Sequence, residues 1–467
     1  MKADPMRHIT RVLAVPAVGA SHCDDMAALR SKAVPPAERY TARPVTPGFR
    51  RVREVAQAVS VGLVLDSQQV AWGDCVAAAL GGQAGRDPLF CAGEGLATIR
   101  DTVAPALEGR ALTSFRELAA GVDALLEPVT VTRPLPPPET SAGDGRVSRR
   151  DLLAAPARLW QAARADEKVA TEQVTVQRRL HTAVRYGVSQ ALLKAVALAR
   201  GLTMTEVIAG EWGLSLPDAP IPIHARSSGE RYRSADKMIA RRAASLSPVL
   251  ADNLPEQLGE GAVELTRYAR WLKARIQELG GEDYWPTVHL DVQGALGQIF
   301  EHNLGRVLGQ LYALELAVQP YPLRVESPVV MESREAQIET MKTLCQYIRF
   351  RKMKGQLVAG EWANTLDDVR AFVEARAAGM IQVKMPDMGS VHNAVEAVLA
   401  CQAGGVGVLL GGSGTETDLS ARVSAHVALA TRPDLVMARP GMGVDEGIAL
   451  IQNEMARTLA WIRARSA

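Results

Sequence analysis

The second half of the chain repeats one pattern: a short apolar run, a polar residue at its end, and then enough residues for a helix. Strands that alternate with helices in this way form a parallel sheet. At least six units favour a closed (β/α)8-type barrel over an open sheet, so the predicted fold class is α/β. The polar ends lie 23 to 35 residues apart, at Asp291, Glu326, Glu361, Lys384, Ser413 and Arg439.

A barrel of this type collects its functional side chains at the carboxyl ends of its strands. We therefore expect Asp291, Glu326 and Lys384 to share one rim. The two acids are oxygen donors suited to a hard cation such as Mg²⁺. Gln382 lies two residues before Lys384 in the apolar run Met380–Asp387, so both side chains project from one face of the strand. A lysine in such a partly dry site is able to serve as a base.

Each of these residues also has an ordinary structural interpretation. Lys384 could reach from the strand end into water, Asp291 could cap a helix or form a salt bridge, and Glu326 could pair with an arginine. Two acids and one amine at a common rim favour the catalytic interpretation. In it, a metal holds a carboxylate while the lysine removes the proton on the neighbouring carbon.

Composition argues against several classes of partner. The 467 residues carry 53 basic and 51 acidic side chains, a net charge of +2, which does not favour nucleic acid or an anionic membrane. We find no run of the roughly 20 apolar residues that a membrane helix needs. The five cysteines are scattered and odd in number, as expected of reduced thiols in a cytoplasmic protein. We interpret Val12–Ala20 as a first strand rather than a targeting segment.

The first part of the chain mixes strands and helices. The runs Val59–Leu65 and Gln69–Cys75 are separated by a short polar segment and predict a hairpin. Helical periodicity follows near Glu94–Ala106 and Ser114–Leu126. This pattern is typical of an α+β region, and it carries no evident active-site chemistry of its own.

A proline-rich segment, Arg133–Gly145, interrupts the chain and belongs to an insertion near 130–165. A charged stretch, 148–172, is predicted to be helical, and a further helix is predicted over Arg179–Ala199. We place the domain boundary near residue 170. The N-terminal domain then covers 1–170, and the barrel with its C-terminal helices covers 171–467.

Eight runs, found on both halves of the chain, carry a resemblance to a known family: Val45–Phe49, Gly73–Cys75, Gly85–Phe90, Leu180–Leu193, His289–Val292, Glu361–Thr365, Gln382–Asp387 and Pro440–Gly447. Together they resemble methylaspartate ammonia-lyase, a family of the enolase superfamily. The resemblance implies an N-terminal α+β capping domain on a modified TIM barrel, assembled as a homodimer. It also implies Mg²⁺-assisted, reversible loss of ammonia from the amino acid 3-methylaspartate to give mesaconate.

The resemblance assigns roles to individual residues. Lys384 matches the base, and Asp291 and Glu326 match two of three metal ligands. The remaining matched positions are substrate contacts, and here they are Gln382, Arg226, Ser413 and Gly414.

This chain departs from the family pattern where the chemistry would occur. The third metal ligand, an aspartate, is Gly360 here, and Glu361 could replace it only if the strand bends, because neighbouring residues point to opposite faces. A second base, a histidine, is replaced by Pro248. Arg226 stands at the position of the family's substrate-contacting glutamine. Together, Arg226 and Gly360 make the site two charges more positive. We therefore expect weak or absent Mg²⁺ binding, with the arginine gripping a carboxylate.

Other positions differ as well, and they keep alternatives open. Ser413–Gly414 replaces a Thr-Cys pair, and Ala79 replaces a glutamine of the capping domain. His224, two residues before Arg226, is either a wall of the pocket or an ordinary strand histidine. The main hypothesis is an ammonia-lyase; the alternatives are a diverged enzyme acting on another amino or hydroxy acid, and a non-catalytic carboxylate-binding homologue.

Overall fold

The structure is a computed structural model that describes residues 7–32, 34–134, 171–227, 230–248, 258–412, 414–438 and 441–466. It divides into two compact units. The larger unit takes in Met1–Leu125 and Leu180–Ala467, and the smaller one takes in Leu126–Arg179. In the smaller unit, β4 (Leu126–Pro134) and β5 (Thr171–Arg179) form an antiparallel pair.

The beginning of the chain folds into a three-stranded antiparallel sheet. Its strands, in the order β1-β2-β3, are Ile9–Asp24, Arg53–Leu65 and Val70–Cys75. The hairpin between β2 and β3 confirms the prediction from the two apolar runs, with Gly62 opposite Trp72. The interpretation of Val12–Ala20 as a strand is also confirmed, although β1 is longer at both ends.

Eight parallel strands of the described residues close into a barrel. They are β6 (Ile223–Arg226), β7 (Ser245–Ser247), β8 (Thr287–Asp291), β9 (Leu323–Glu326), β10 (Gln356–Ala359), β11 (Met380–Val383), β12 (Gly407–Leu410) and β13 (Leu435–Met437). The barrel and all six predicted strands are confirmed. The sequence did not reveal β6 and β7, because half or more of their residues are polar and they form no apolar run.

Helices surround the sheet and the barrel. The described helices are α1 (Met26–Lys32), α2 (Ala92–Thr98), α3 (Ala104–Leu107), α4 (Phe115–Asp123), α5 (Thr182–Arg200), α6 (Met204–Trp212), α7 (Arg231–Ala240), α8 (Val263–Gly280), α9 (Ala295–Ile299), α10 (Leu304–Val318), α11 (Arg334–Phe350), α12 (Leu366–Ala375), α13 (Val391–Ala403), α14 (Asp418–Thr431) and α15 (Val444–Ser466), with short turns of other helix types at Pro36–Glu38, Ile99–Val103 and Glu260–Ala262. None of the described helices is both long enough and apolar enough to cross a membrane.

Two helices differ from the sequence predictions. The helix predicted from Arg179 begins only at Thr182, because β5 runs to Arg179 and His181 then caps the helix through Nδ1, which accepts from Ala183 N. The helix predicted over 148–172 lies outside the described residues up to 170. From Thr171 the prediction is wrong, since β5 starts there.

The barrel interior is filled at its centre by apolar side chains, so the barrel is a packed core and not a pore. These side chains come from four neighbouring strands and include Val358, Met380, Leu409, Leu435 and Met437. Because all eight strands run in the same direction, their carboxyl ends meet at one edge. The polar residues that end the strands are thereby brought together above these packed apolar side chains.

Candidate active site

A cavity of about 250 Å³ lies at the carboxyl ends of the barrel strands. The barrel contributes charged side chains at five positions, namely Arg226, Asp291, Glu326, Glu361 and Lys384. The N-terminal sheet and the segment after it close the cavity from the other side, with Ser21, His22, Ala79 and Arg86 among the lining residues. The structure therefore places the predicted rim residues in a single site.

Lys384 follows directly after β11 and is buried at 8% exposure. Its ammonium group donates a short hydrogen bond to the carbonyl oxygen of Gly360. Its positive charge acts to lower the pKa of Asp291, Glu326 and Glu361, so it lies among all three acids. The amine is thus held inside the cavity. The structural alternative required it to reach into bulk water, and it does not.

Asp291 and Glu326 end the neighbouring strands β8 and β9, where they are register partners. Burial and the charge of Glu326 raise the pKa of Asp291. Burial also works against ionisation of Glu326, but the hydrogen bond and charge of His289 lower its pKa to about 2. His289 Nε2 lies 2.8 Å from Glu326 Oε2, beneath the cavity.

Glu361 faces the same cavity, although a regular strand would turn it away. The reason is that β10 ends at Ala359 and the chain turns, with Trp362 at a φ of 63°. Glu361 is paired with an arginine. Its Oε2 lies 2.6 Å from Nη1 of Arg86, whose Nε lies 2.8 Å from Asp387 Oδ2. Burial opposes ionisation of Glu361, yet the charges of Arg86 and Lys384 keep its pKa low.

Gly360 occupies the position that the resemblance assigned to a third metal ligand. A Cβ atom added there would collide with Glu326 Oε1 and would lie 3.0 Å from Ser327 Oγ. The Glu326 side chain therefore occupies the space into which a ligand at position 360 would project. The carboxylates of Asp291, Glu326 and Glu361 are brought into one cavity, but each is held by a different cationic or hydrogen-bonding partner.

These residues do not fit a divalent cation in the arrangement that the structure shows. Arg226 Nη2 lies 2.6 Å from Asp291 Oδ2, so a guanidinium holds the acid that would face the metal. Among the described residues, no three His, Cys, Asp or Glu side chains are grouped to hold a metal ion. The assignment of Asp291, Glu326 and Glu361 as ligands stays a prediction.

The predicted substrate contacts are distributed unevenly. Arg226 and Gly414 line the cavity. Gln382 is buried at 1% exposure and lies against Met437 and below Gly412, not among the described lining residues. Ser413 lies outside the described residues. The two departures Ala79 and Pro248 are placed at the cavity wall and directly after β7, respectively.

His224 is buried inside the barrel and does not belong to the described cavity wall. Its Nδ1 lies 2.9 Å from Ser245 Oγ, and its ring meets that of His289 edge-on at 4.6 Å. Burial, followed by the charges of His289 and Arg226, holds the pKa of His224 well below its usual value. It is therefore a neutral histidine of the barrel interior.

Sequence reasoning did not identify Arg86 or Asp387 as site residues. The statement that the N-terminal region has no active-site chemistry is wrong, because Arg86 is 3% exposed and spans 275 residues of sequence to reach Glu361. A signal was present, since Arg86 lies in Gly85–Phe90 and Asp387 ends Gln382–Asp387, two of the runs that carried the family resemblance. The local pattern of residues alone could not show that Arg86 and Asp387 form an ion pair.

Two family models match the chain over most of its length. The model described as methylaspartate ammonia-lyase N-terminus matches residues 6–133 and 155–213, and the model of the C-terminus matches 215–464. The chain belongs to the methylaspartate ammonia-lyase family. Both halves of the resemblance noted in the sequence are confirmed.

Individual members of the family are similar over nearly the whole chain. Methylaspartate ammonia-lyase 1 of Carboxydothermus hydrogenoformans is 41% identical over 97% of this chain and 96% of its own. The magnesium complex of β-methylaspartase from Clostridium tetanomorphum has a TM-score of 0.79 at 36% identity, covering 98% of this chain and 100% of that one. The Citrobacter amalonaticus enzyme containing (2S,3S)-3-methylaspartic acid gives a TM-score of 0.83 at 36% identity with the same coverage.

Proposed function

We propose that this protein is a carbon–nitrogen lyase that removes ammonia from a 3-methylaspartate-type amino acid to give mesaconate. Lys384 would be the base. The observation that carries this assignment is the position of its amine, buried in a cavity at the barrel rim between acids and arginines. The family membership and the 3-methylaspartic acid found in the Citrobacter amalonaticus relative support the choice of substrate class.

The chemistry follows from the charges of the cavity. Lys384 Nζ, in its neutral amine form, takes the proton from the carbon next to one substrate carboxylate and becomes an ammonium. The electron pair of that C–H bond passes into the carboxylate as an enolate. When the pair returns, it forms the carbon–carbon double bond, and the C–N bond breaks with its electrons leaving on ammonia. Arg226 lines the same cavity and offers a fork of donors to a carboxylate.

The experiment is an assay of the full-length protein with 3-methylaspartate, following the ultraviolet absorbance of mesaconate. We expect Lys384→Ala to lower turnover by about 10²- to 10⁴-fold, the usual contribution of a general base. Lys194→Ala, which removes an exposed lysine from α5, is the matched control and should keep full activity. If the Lys384 variant formed mesaconate as fast as the control, the lysine would not be the base.

A diverged enzyme acting on another amino or hydroxy acid is the second candidate. The observation that favours it is the altered cavity wall, with Arg226 and Ala79 at positions where the resemblance expects other residues. Lys384-dependent deuterium exchange into other acids, without mesaconate formation, would support this candidate. Binding of such acids with no exchange at all would instead indicate the non-catalytic homologue.

A further inference from the structure

Every acid that could bind a divalent cation in the cavity already has a partner of its own. Asp291 is held by Arg226 at 2.6 Å, Glu326 by His289 at 2.8 Å, and Glu361 by Arg86 at 2.6 Å. A metal bound to Asp291 would lie beside the guanidinium of Arg226, a positive charge that repels it at short range.

The charge of the site points the same way. Relative to the pattern that the resemblance implies, Gly360 removes one negative charge and Arg226 adds one positive charge, which together equal the two charges of Mg²⁺. The new positive charge is also in a suitable position. Arg226 ends β6, lines the cavity together with Lys384, and is 15% exposed through its side chain.

We infer that Arg226 takes the place of the divalent cation in this family member, so that the reaction runs without Mg²⁺. This inference rests on the proposed function for the identity of the substrate. The guanidinium holds the substrate carboxylate next to the carbon that loses its proton and lies against the negative charge of the enolate as it forms. Lys384 keeps the proton, and ammonia leaves with the electrons of the C–N bond, so no further reactant is needed.

The donor count of Arg226 is consistent with this role. A guanidinium has five N–H donors in a planar fork. The contact with Asp291 is made through one of these nitrogens, Nη2, at 2.6 Å. Asp291 is itself fixed, because its Oδ1 accepts a hydrogen bond of 3.1 Å from Gln293 N. The acid that would be a metal ligand is therefore the anchor that orients the arginine.

The first test is calorimetric titration of MgCl₂ into the chelator-treated full-length protein, followed by mesaconate formation with EDTA or with millimolar Mg²⁺. We expect no saturable one-to-one Mg²⁺ binding and rates that agree within about twofold. Stoichiometric binding together with loss of turnover in EDTA would overturn the inference and leave the lyase assignment intact.

A second test does not depend on turnover. In EDTA, the affinity for mesaconate measured by calorimetry should fall at least tenfold in Arg226→Gln. It should fall less in Arg226→Lys, which keeps the charge without the fork. Equal affinity of wild type and Arg226→Gln would overturn the role of the arginine. If the wild type binds mesaconate through Arg226 but never forms it, the proposed function fails while the carboxylate site stands.

A third variant rebuilds the family pattern. Arg226→Gln combined with Gly360→Asp restores three acids and removes the guanidinium, and it should gain one-to-one Mg²⁺ binding. Thermal unfolding with and without MgCl₂ reports this gain even if the variant is less stable, because a ligand that binds only the folded state raises the midpoint. If MgCl₂ raised the unfolding midpoints of the wild type and the double variant by the same amount, the inference would be contradicted.

Discussion

At the scale of single residues, Gly360 and Arg86 determine how the acids of the cavity are used. Without a side chain at 360, Glu326 extends into that space. Arg86 then joins Glu361 and Asp387, which are both buried. A buried charge is tolerated only when it is paired, so this arginine stabilises the fold as well as shaping the site.

Replacing Arg86 by Gln should therefore be costly. The change leaves Glu361 and Asp387 without their shared cation, and we expect a loss of about 3–5 kcal/mol in the free energy of unfolding, the usual effect of breaking a buried pair. Denaturant unfolding measures it. The control is Arg100→Gln, which removes an exposed arginine paired with Asp101 and should leave the midpoint unchanged. Equal midpoints for the two variants would contradict this account.

The resemblance expects a second base at position 248, where this chain has Pro248, and this predicts a choice between substrate epimers. Proline cannot accept a proton, so only the 3-methylaspartate epimer that presents its hydrogen to Lys384 should react. Turnover of the two epimers, measured separately by mesaconate absorbance, tests this. Comparable rates would contradict it. In that case the variant His22→Gln would show whether His22, which also lines the cavity, removes the proton of the second epimer.

At the scale of elements, close contacts between glycines fix α5 against β3. A Cβ atom at Gly73 would lie 2.6 Å from Ala191 N, and one at Gly187 would collide with the backbone of Cys75. The helix therefore rests directly on the strand. A second joint lies at the end of α4, where Asp123 accepts hydrogen bonds from Arg185 of α5 at 2.7 Å and from Ser390 N, just before α13, at 3.2 Å.

Gly187→Ala should separate α5 from β3. Overpacking of a well-packed contact typically costs about 1–3 kcal/mol, and here the obstacle is rigid backbone. Gly210→Ala is the matched control, since it changes another helical glycine that has no atom within 4 Å of the added Cβ. That control should be neutral or stabilise by up to about 1 kcal/mol. Thermal unfolding of both variants decides the matter, and a stable Gly187→Ala protein would contradict the packing argument.

Asp123 should make stability depend on pH in the acid range. Burial works against its ionisation, but Arg185 and two further donors lower its pKa in the folded state. The stabilisation is therefore complete above the unfolded value, about 3.9, and is lost as pH falls towards the folded one. Asp123→Asn should lose about 1–3 kcal/mol at pH 7 and show a flatter dependence below pH 4.

Urea unfolding between pH 2 and pH 7 checks this prediction for the wild type and the Asp123→Asn variant. Asp283→Asn, at an exposed acid, is the control that should leave both the stability and its pH dependence unchanged. Parallel curves for the wild type and Asp123→Asn would show that the joint contributes nothing.

At the scale of the whole molecule, we propose a homodimer. Large apolar side chains stand exposed on the neighbouring helices α10 and α11, among them Tyr312 and Phe350 at 50% and 79% exposure. Surfaces of this kind are commonly covered by association.

Light scattering coupled to gel filtration tests the dimer. Twice the chain mass of 50.1 kDa gives an expected value of about 100 kDa. A dilution series separates a stable dimer from a concentration-dependent one. A mass of one chain at every concentration would rule the dimer out.

The sequence by itself determined the barrel and brought three of its polar residues to one rim. Apolar runs that alternate with helices at a regular period form parallel strands, and parallel strands deliver Asp291, Glu326 and Lys384 to the same edge. Neither inference needs knowledge of which strand neighbours which. The strands β6 and β7 were beyond this reasoning, because their polar residues leave no apolar run to recognise.

Only the tertiary structure decided how those side chains are paired. Arg86 meets Glu361, Arg226 meets Asp291, and His289 meets Glu326 through contacts between segments far apart in the chain. An ion pair depends on distance and burial, and neither is written in the local pattern of residues. The same rim could hold a metal or an arginine, and packing around Gly360 and Arg226 decides between them.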